Sequence, residues 1–267
     1  MAGSSCGSAN KVQLAGIQKR FRINGNYLHV LNDIDMEVDP GAFVSIVGPS
    51  GCGKSSLLNI LAGLEEPDSG SIRIDGVELP SRLGSIAYMQ QKDLLLPWRT
   101  VLENATLALE ITGMKTSESR TQALAVLDDF GLLGFENQYP NALSGGMRQR
   151  ASFLRTWLAR KSIILLDEPF GALDALTRAA LQEWLIRKWE LLGTTIIMVT
   201  HDVEEAILLS DKVYVLTGRP GSVIQTRTVP FPRPRHYGIV NTKEFIGIKE
   251  SILDSILSES ITGRGVE

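Results

Sequence analysis

Three short apolar runs punctuate the chain: Phe43–Val47, residues 162–166 and Thr195–Val199. Each is followed at once by polar residues, respectively Gly48, Asp167 and the pair Thr200 and His201. Uninterrupted apolar runs of this length predict strands buried on both faces of a parallel sheet, and the carboxyl edge of such a sheet is where open α/β folds bind ligands. Residues 56–64 have helical spacing directly after the first run. Between the first two runs, Leu124 and Leu127, then residues 128–130, then residues 147–158 also follow a helical period. They predict a mostly helical lobe, at about 92–160, inserted into the sheet domain. Residues 213–216 and 222–224 flank the turn Gly218-Arg219-Pro220-Gly221 and predict a late hairpin. Residues 230–234 are a proline-rich linker, after which Phe245, Ile248, Ile252 and Ile256 share one face of a final helix. The expected division is a flexible tail at 1–10, one domain at 11–229, and a linker with a C-terminal helical extension at 230–267. No internal repeat is visible.

Composition narrows the class without choosing a function. With 43% hydrophobic and 21% charged residues the chain is ordinary for a globular protein, and a net charge of -3 gives no reason to expect nucleic acid as a partner. No apolar run approaches the roughly 20 residues of a membrane span, and residues 1–10 lack the apolar core of a signal peptide. Any membrane role is expected to run through another chain. Cys6 lies in the tail and Cys52 in a glycine-rich loop, a pattern that fits a reducing compartment rather than a disulfide.

The chemistry begins at Gly48-Pro49-Ser50-Gly51-Cys52-Gly53-Lys54-Ser55, followed by Ser56, which matches G-x-x-x-x-G-K-[ST] between a predicted strand and a predicted helix. Glycines let consecutive N–H groups turn inward onto one anion, and the helix N-terminus adds its dipole. Lys54 is expected to reach the β- and γ-phosphates and Ser55 to ligate Mg²⁺. This loop specifies nucleotide binding and would suit a kinase, a GTPase or a motor equally well. The second apolar run ends in Asp167-Glu168. The first carboxylate is expected to hold the Mg²⁺ shell, and the second can take a proton from an attacking water. Leu143-Ser144-Gly145-Gly146-Met147-Arg148-Gln149-Arg150 opens another helix on a serine and two glycines, a second anion cradle. Two cradles in one chain make sense if one serves the nucleotide of a partner subunit.

Taken together and in order, these motifs resemble the ATP-binding cassette family over residues 12–227. The Walker A loop resembles 48–55, the signature motif 143–149, Walker B with its glutamate 165–168, the D-loop 171–174, and the H-loop Thr200-His201-Asp202. The resemblance implies an α/β P-loop NTPase fold: a RecA-like, mostly parallel sheet with an antiparallel β part and an inserted helical subdomain. It implies that Gln91, or its neighbour Gln90, is the Q-loop glutamine near Mg²⁺ and the attacking water. It also implies that Phe21 stacks on adenine, unless it is a core residue, that His201 bonds the γ-phosphate, and that Asp174 of the D-loop helps bind the nucleotide. Ser144, Gly145 and Gly146 would contact the ATP of the other copy of a homodimer. Met147 departs from the glutamine often found at the fifth signature position, and Phe21 from the commoner tyrosine. Cys52, beside Lys54 and a helix N-terminus, is expected either to be a reactive thiolate or to be packed and inert.

The resemblance further implies MgATP hydrolysis that drives an importer through a separate permease, at the cytoplasmic face of the membrane. The permease is expected in a groove near Leu95, Leu96, Pro97 and Trp98, with a solute-binding protein as an indirect partner. A finer likeness, carried by Leu96-Pro97-Trp98-Arg99-Thr100, residues 167–178 and Arg219-Pro220-Gly221, points to importers of taurine, alkanesulfonates, nitrate and thiamine-precursor pyrimidines. A cassette ATPase acting in DNA repair or translation is the rival reading. It lacks support here from a coiled-coil insertion, zinc cysteines or a second cassette. A P-loop kinase or GTPase leaves Ser144-Gly145-Gly146 and His201 unexplained.

Overall fold

The computed structural model describes residues 10–171 and 173–262. Cys6 and nearly all of the expected tail, Ala172 of the D-loop segment, and residues 263–267 lie outside that range. Six strands form the main sheet, in the order β5 (Ala87–Met89), β6 (Ile163–Asp167), β7 (Thr195–Val199), β3 (Phe43–Val47), β8 (Lys212–Leu216) and β9 (Val223–Thr228). All neighbours are parallel except the β8–β9 hairpin. The apolar runs are buried on both faces because successive side chains enter different cores. Ile164, Leu166, Ile196 and Met198 face the helices α2 (Val101–Ile111), α3 (Thr116–Leu127), α4 (Gly145–Trp157) and α5 (Ala175–Leu192). Ile163, Leu165, Ile197 and Val199 face α1 (Lys54–Ala62) and a second sheet. The core under α2–α4 is continuous with that under α5, so the helical region shares its packing with the sheet. Within α3, Ala123 and Leu127 are buried but Leu124 is exposed, so only part of the expected helical stripe faces inward.

The second sheet is antiparallel, in the order β2 (Asn26–Val38), β1 (Val12–Ile23) and β4 (Ser69–Ile74). Periodicity did not reveal these strands, and the register shows why. Val12 and Leu14 point inward, but a bulge at Ala15 and Gly16 makes Ile17 the next buried residue. The extra residue breaks the alternation that marks a half-buried strand. Gly16, at φ 62°, supplies the left-handed backbone that the bulge requires.

At the carboxyl edge, the loop between β5 and α2 is held from two sides. Buried Asn104 accepts from Leu96 N at 2.8 Å and donates to the carbonyls of Leu96, Arg99 and Thr100. Thr100 and Glu103 close a capping box on α2. From α4, Arg155 donates to the carbonyls of Asp93 and Leu94, and Arg148 pairs with Asp93 at 3.1 Å.

Beyond β9, the linker sends Arg235 back beneath the domain, where it donates to the carbonyls of Ile207, Leu208 and Ser210 at the end of α6 (Val203–Leu209). Helix α7 (Lys243–Thr262) buries Phe245, Ile248 and Ile252 against α6 and the β8–β9 hairpin. The C-terminal extension therefore packs on its own sheet domain.

Candidate nucleotide site

The loop after β3 can close around an anion through its glycines, and the backbone contacts at Gly53 and Gly48 leave no room for a side chain. Gly53, the residue before α1, has φ 106°, and a Cβ there would stand 2.7 Å from Leu31 Cδ2 and 2.9 Å from the Val30 carbonyl. A Cβ on Gly48 would meet the Leu216 carbonyl at 2.9 Å. Lys54 is buried, and its ammonium donates to the carbonyls of Gly48 and Pro49 at 2.8 and 2.9 Å. A lysine held by carbonyls of the loop it follows is positioned by the loop's own curl.

A cleft of about 400 Å³ opens over this loop. Its walls bring together Phe21, Ser50, Gly51, Gly53, Lys54, Ser55, Ser56, Gln91 and Glu168, with Leu28, Val30 and Arg219. Of the two candidate glutamines, Gln91 is the one that lines the cleft. Phe21 is half-buried: it lines the cleft and also packs against the core under β1 and β2. Leu28, Val30 and Arg219 were not signalled as site residues by any motif. They arrive through β2 and the β8–β9 turn, where Arg219 donates to the Gly51 carbonyl at 3.1 Å.

Asp167 ends β6 and is buried, which pushes its carboxyl above the usual range, while Ser55, Lys54 and Tyr88 beside it favour the charged form. Its Oδ1 is buried without a hydrogen-bond partner among the described residues. An orphaned carboxylate oxygen next to a serine hydroxyl is a hard-oxygen pair that suits Mg²⁺. Glu168 follows with φ 49°, a left-handed turn unusual for a side chain of this size. Its N–H is anchored on the Val199 carbonyl at 2.9 Å. Gln91 Nε2 donates to Glu168 Oε2 at 3.1 Å, and His201 Nδ1 lies 3.4 Å from the same oxygen. Two residues separated widely in sequence, Gln91 and His201, thus converge on the Glu168 carboxylate at the sheet edge.

Other predicted residues lie elsewhere. Ser144 caps α4 by accepting from Met147 N at 3.3 Å; Ser144 and Gly145 are exposed, and neither they nor Gly146 lines the cleft. Asp174 caps α5 by accepting from Thr177 N at 3.0 Å, and that bond holds its carboxyl below the usual range.

Cys52 is packed, and the expectation for Leu95 is corrected. The Cys52 side chain is 1% exposed and its thiol is pushed up by burial, which outweighs the pull of Lys54. Its side chain packs into the core, as the packed alternative expects. Leu95 is 8% exposed and belongs to the core under α2–α4, so it does not line an open groove. Leu94, Pro97 and Trp98 are exposed in that loop, as are Gln91 and Lys92, and Trp98 is 70% exposed.

Comparison with known proteins agrees with this geometry. The family model described as ABC transporter matches residues 31–171. An aliphatic sulfonates import ATP-binding protein of Rhodococcus jostii is 44% identical over 92% of this chain and 93% of its own length. A formylaminopyrimidine import ATP-binding protein of Halalkalibacterium halodurans is 46% identical over 72% of this chain and 74% of its own. A dimeric ATP-binding cassette solved in a post-hydrolysis state with ADP and Pi superposes with a TM-score of 0.76 at 32% identity, covering 83% of this chain and all of that one. A P-loop over a mostly parallel sheet, with a carboxylate pair at its edge, defines the class as a P-loop NTPase. Within that class, the chain belongs to the ABC transporter family, as an ATP-hydrolysing subunit.

Proposed function

We propose that this chain is the energising subunit of an importer for a small anionic or heterocyclic solute, of the sulfonate, taurine, nitrate or pyrimidine type. It works as a homodimer beneath a separate membrane permease, at the cytoplasmic face. The observation that carries this reading is the separation of the motif residues into two sets. The loop of 48–55, Asp167, Glu168, Gln91 and His201 gather at one edge of the sheet, whereas Ser144, Gly145 and Gly146 open an exposed helix end outside the cleft. A second copy facing head to tail supplies the missing helix end to each nucleotide, and Asp174 lies at that boundary.

In this reading the backbone of Gly48 to Gly53 and the side chain of Lys54 bind the phosphates, and Phe21 takes the adenine face. Pro49, Ser50, Gly51 and Cys52 contribute through the loop backbone, and Ser56 through the first turn of α1. Ser55, Asp167 and Gln91 hold Mg²⁺, which supplies charge neutralisation for phosphoryl transfer when bound. Glu168 accepts the proton of the attacking water, with Gln91 and His201 aligning its carboxylate. Residues 11–229 form the ATPase domain, the helical part at about 92–160 carries Ser144, and the described part of the C-terminal extension, 230–262, braces the sheet domain. The exposed Leu94, Pro97 and Trp98, with half-buried Leu96, form the permease contact. A solute-binding protein then acts on the permease from the other side.

The test is the Glu168→Gln variant. Hydrolysis is expected to fall about 10²- to 10⁴-fold, with ATP binding retained. Light scattering after size exclusion should then find a dimer in MgATP and a monomer without it. A variant that stays monomeric in saturating MgATP, both alone and with co-expressed permease, removes the sandwich and the importer reading with it. Trp98→Ala should release co-purifying permease while leaving ATP binding intact.

A further inference from the structure

A buried carboxylate with no part in the site described above sits behind His201. Glu205, in the first turn of α6, is 6% exposed. Its Oε2 accepts from the Thr200 hydroxyl and its Oε1 accepts from Gln182 Nε2 at 2.8 Å. Burying a carboxyl is costly unless its oxygens are bonded, and here both are. The same Thr200 oxygen accepts from Asp202 N at 3.1 Å, and Thr200 N is anchored on the Ile46 carbonyl of β3 at 3.2 Å. Both neighbours of His201 are thereby fixed. Gln182 belongs to α5, and so does Arg178, which lies 3.8 Å from Asp202. Helix α5 begins at the Asp174 cap.

We infer that Glu205 is a positioning residue for hydrolysis: it bolts the turn that aims His201 at Glu168 onto α5, the helix whose N-cap, Asp174, is placed at the partner boundary. This rests on the roles proposed for His201 and Asp174. It adds a physical link by which seating of the second copy at Asp174 fixes the imidazole against the carboxylate.

Three forms test it: Glu205→Ala, Gln182→Glu, and the exchange Glu205→Gln with Gln182→Glu. In the exchange, amide and carboxylate still bond each other, and the new amide oxygen can still accept from Thr200. Glu205→Ala is expected to lower kcat about 10- to 100-fold, the scale of a 1 Å misplacement at a reaction centre, with KM for ATP and the measured ATP affinity unchanged. Gln182→Glu alone sets two carboxylates together and should be slow. Adding Glu205→Gln to it should restore most of the turnover, a recovery that also serves if Glu205→Ala does not fold. Wild-type kcat in Glu205→Ala, or an exchange variant that folds by circular dichroism yet stays as slow as Gln182→Glu, overturns the inference. Glu168→Gln is run alongside. If it hydrolyses ATP at the full rate, the proposed hydrolysis site itself is wrong; if it is inactive while Glu205→Ala is fully active, only the role of Glu205 falls.

Discussion

Arg155 Nη1 donates to the carbonyl of Leu94 at 2.7 Å, and its Nη2 reaches the carbonyl of Asp93 at the same distance. Leu94 sits at φ 46°, where a leucine is strained, so this fork holds a backbone that would otherwise relax. Arg155 lies on the helix that Ser144 opens, and the loop it grips carries exposed Trp98. The helix end proposed for the partner's nucleotide and the surface proposed for the permease are therefore joined through Arg155, beside the Arg148–Asp93 pair.

Replacing that side chain tests the joint. Arg155→Met removes two charge-assisted hydrogen bonds, and urea unfolding should show a loss of about 1.5–3 kcal/mol. Arg155→Lys should recover only part of it, because an ammonium does not reproduce the planar fork. In membranes with the permease, Arg155→Met should keep ATP binding and lose stimulation of hydrolysis by the permease. Equal stability of all three forms would remove the fork from the fold's support.

Phe21 offers a sharper test of the nucleotide pose. If its ring carries the adenine, Phe21→Ala should weaken ATP binding by about 1–3 kcal/mol, and Phe21→Trp should not. Titration with a fluorescent ATP analogue measures both. Because Phe21 is also half-packed against the core under β1 and β2, thermal melts must accompany the titration. A lost affinity that tracks lost stability would count as packing alone.

Gly53→Ala should be the least tolerated change in the phosphate loop. A φ of 106° lies where only glycine is at ease, and the added Cβ meets backbone at Val30 as well as the Leu31 side chain. Backbone strain alone costs about 1–3 kcal/mol, so the melting temperature and MgATP binding should fall together. Gly84→Ala, also at positive φ but with open space around it, should leave ATP binding intact.

Cys52 should react slowly. In a Cys6→Ser background, alkylation of the folded protein should be far slower than in urea and should rise with pH only above the ordinary thiol range, near 8.5. Burial raises this thiol, so the unfolded chain gives up its proton first. The stabilising effect of the neutral buried form is thus complete below the unfolded value and is lost as pH rises towards the folded one. Replacing Cys52 by alanine should flatten the alkaline side of the stability curve. Rapid labelling at pH 7 that MgATP prevents would restore the thiolate reading.

Much of the nucleotide site could be read directly from the chain because its chemistry is local. In Gly48 to Ser55 the helix, the turn and the lysine follow one another, so spacing alone specifies a phosphate cradle. Asp167 and Glu168, and likewise Ser144 and Gly145, are adjacent and carry their context with them. The three apolar strands were visible because burial on both faces leaves them almost wholly apolar, with Ser45 a polar residue inside the first run.

Residues that meet across strands left no such trace. Leu28, Val30 and Arg219 reach the cleft because β2 and the β8–β9 turn close over Gly51 and Gly53, and nothing in their own neighbourhoods marks that approach. The bulge at Gly16 hid β1, and Leu95 carried the hydrophobicity expected of a docking groove while being turned into the core. Reactivity at Cys52 and the placement of Glu205 depended on how deeply each is covered, which is a property of packing. Local backbone chemistry is encoded over a few consecutive residues. Solvent exclusion and long-range contact are set only once distant segments fold together, and here they decided which side chains line the cleft over the phosphate loop.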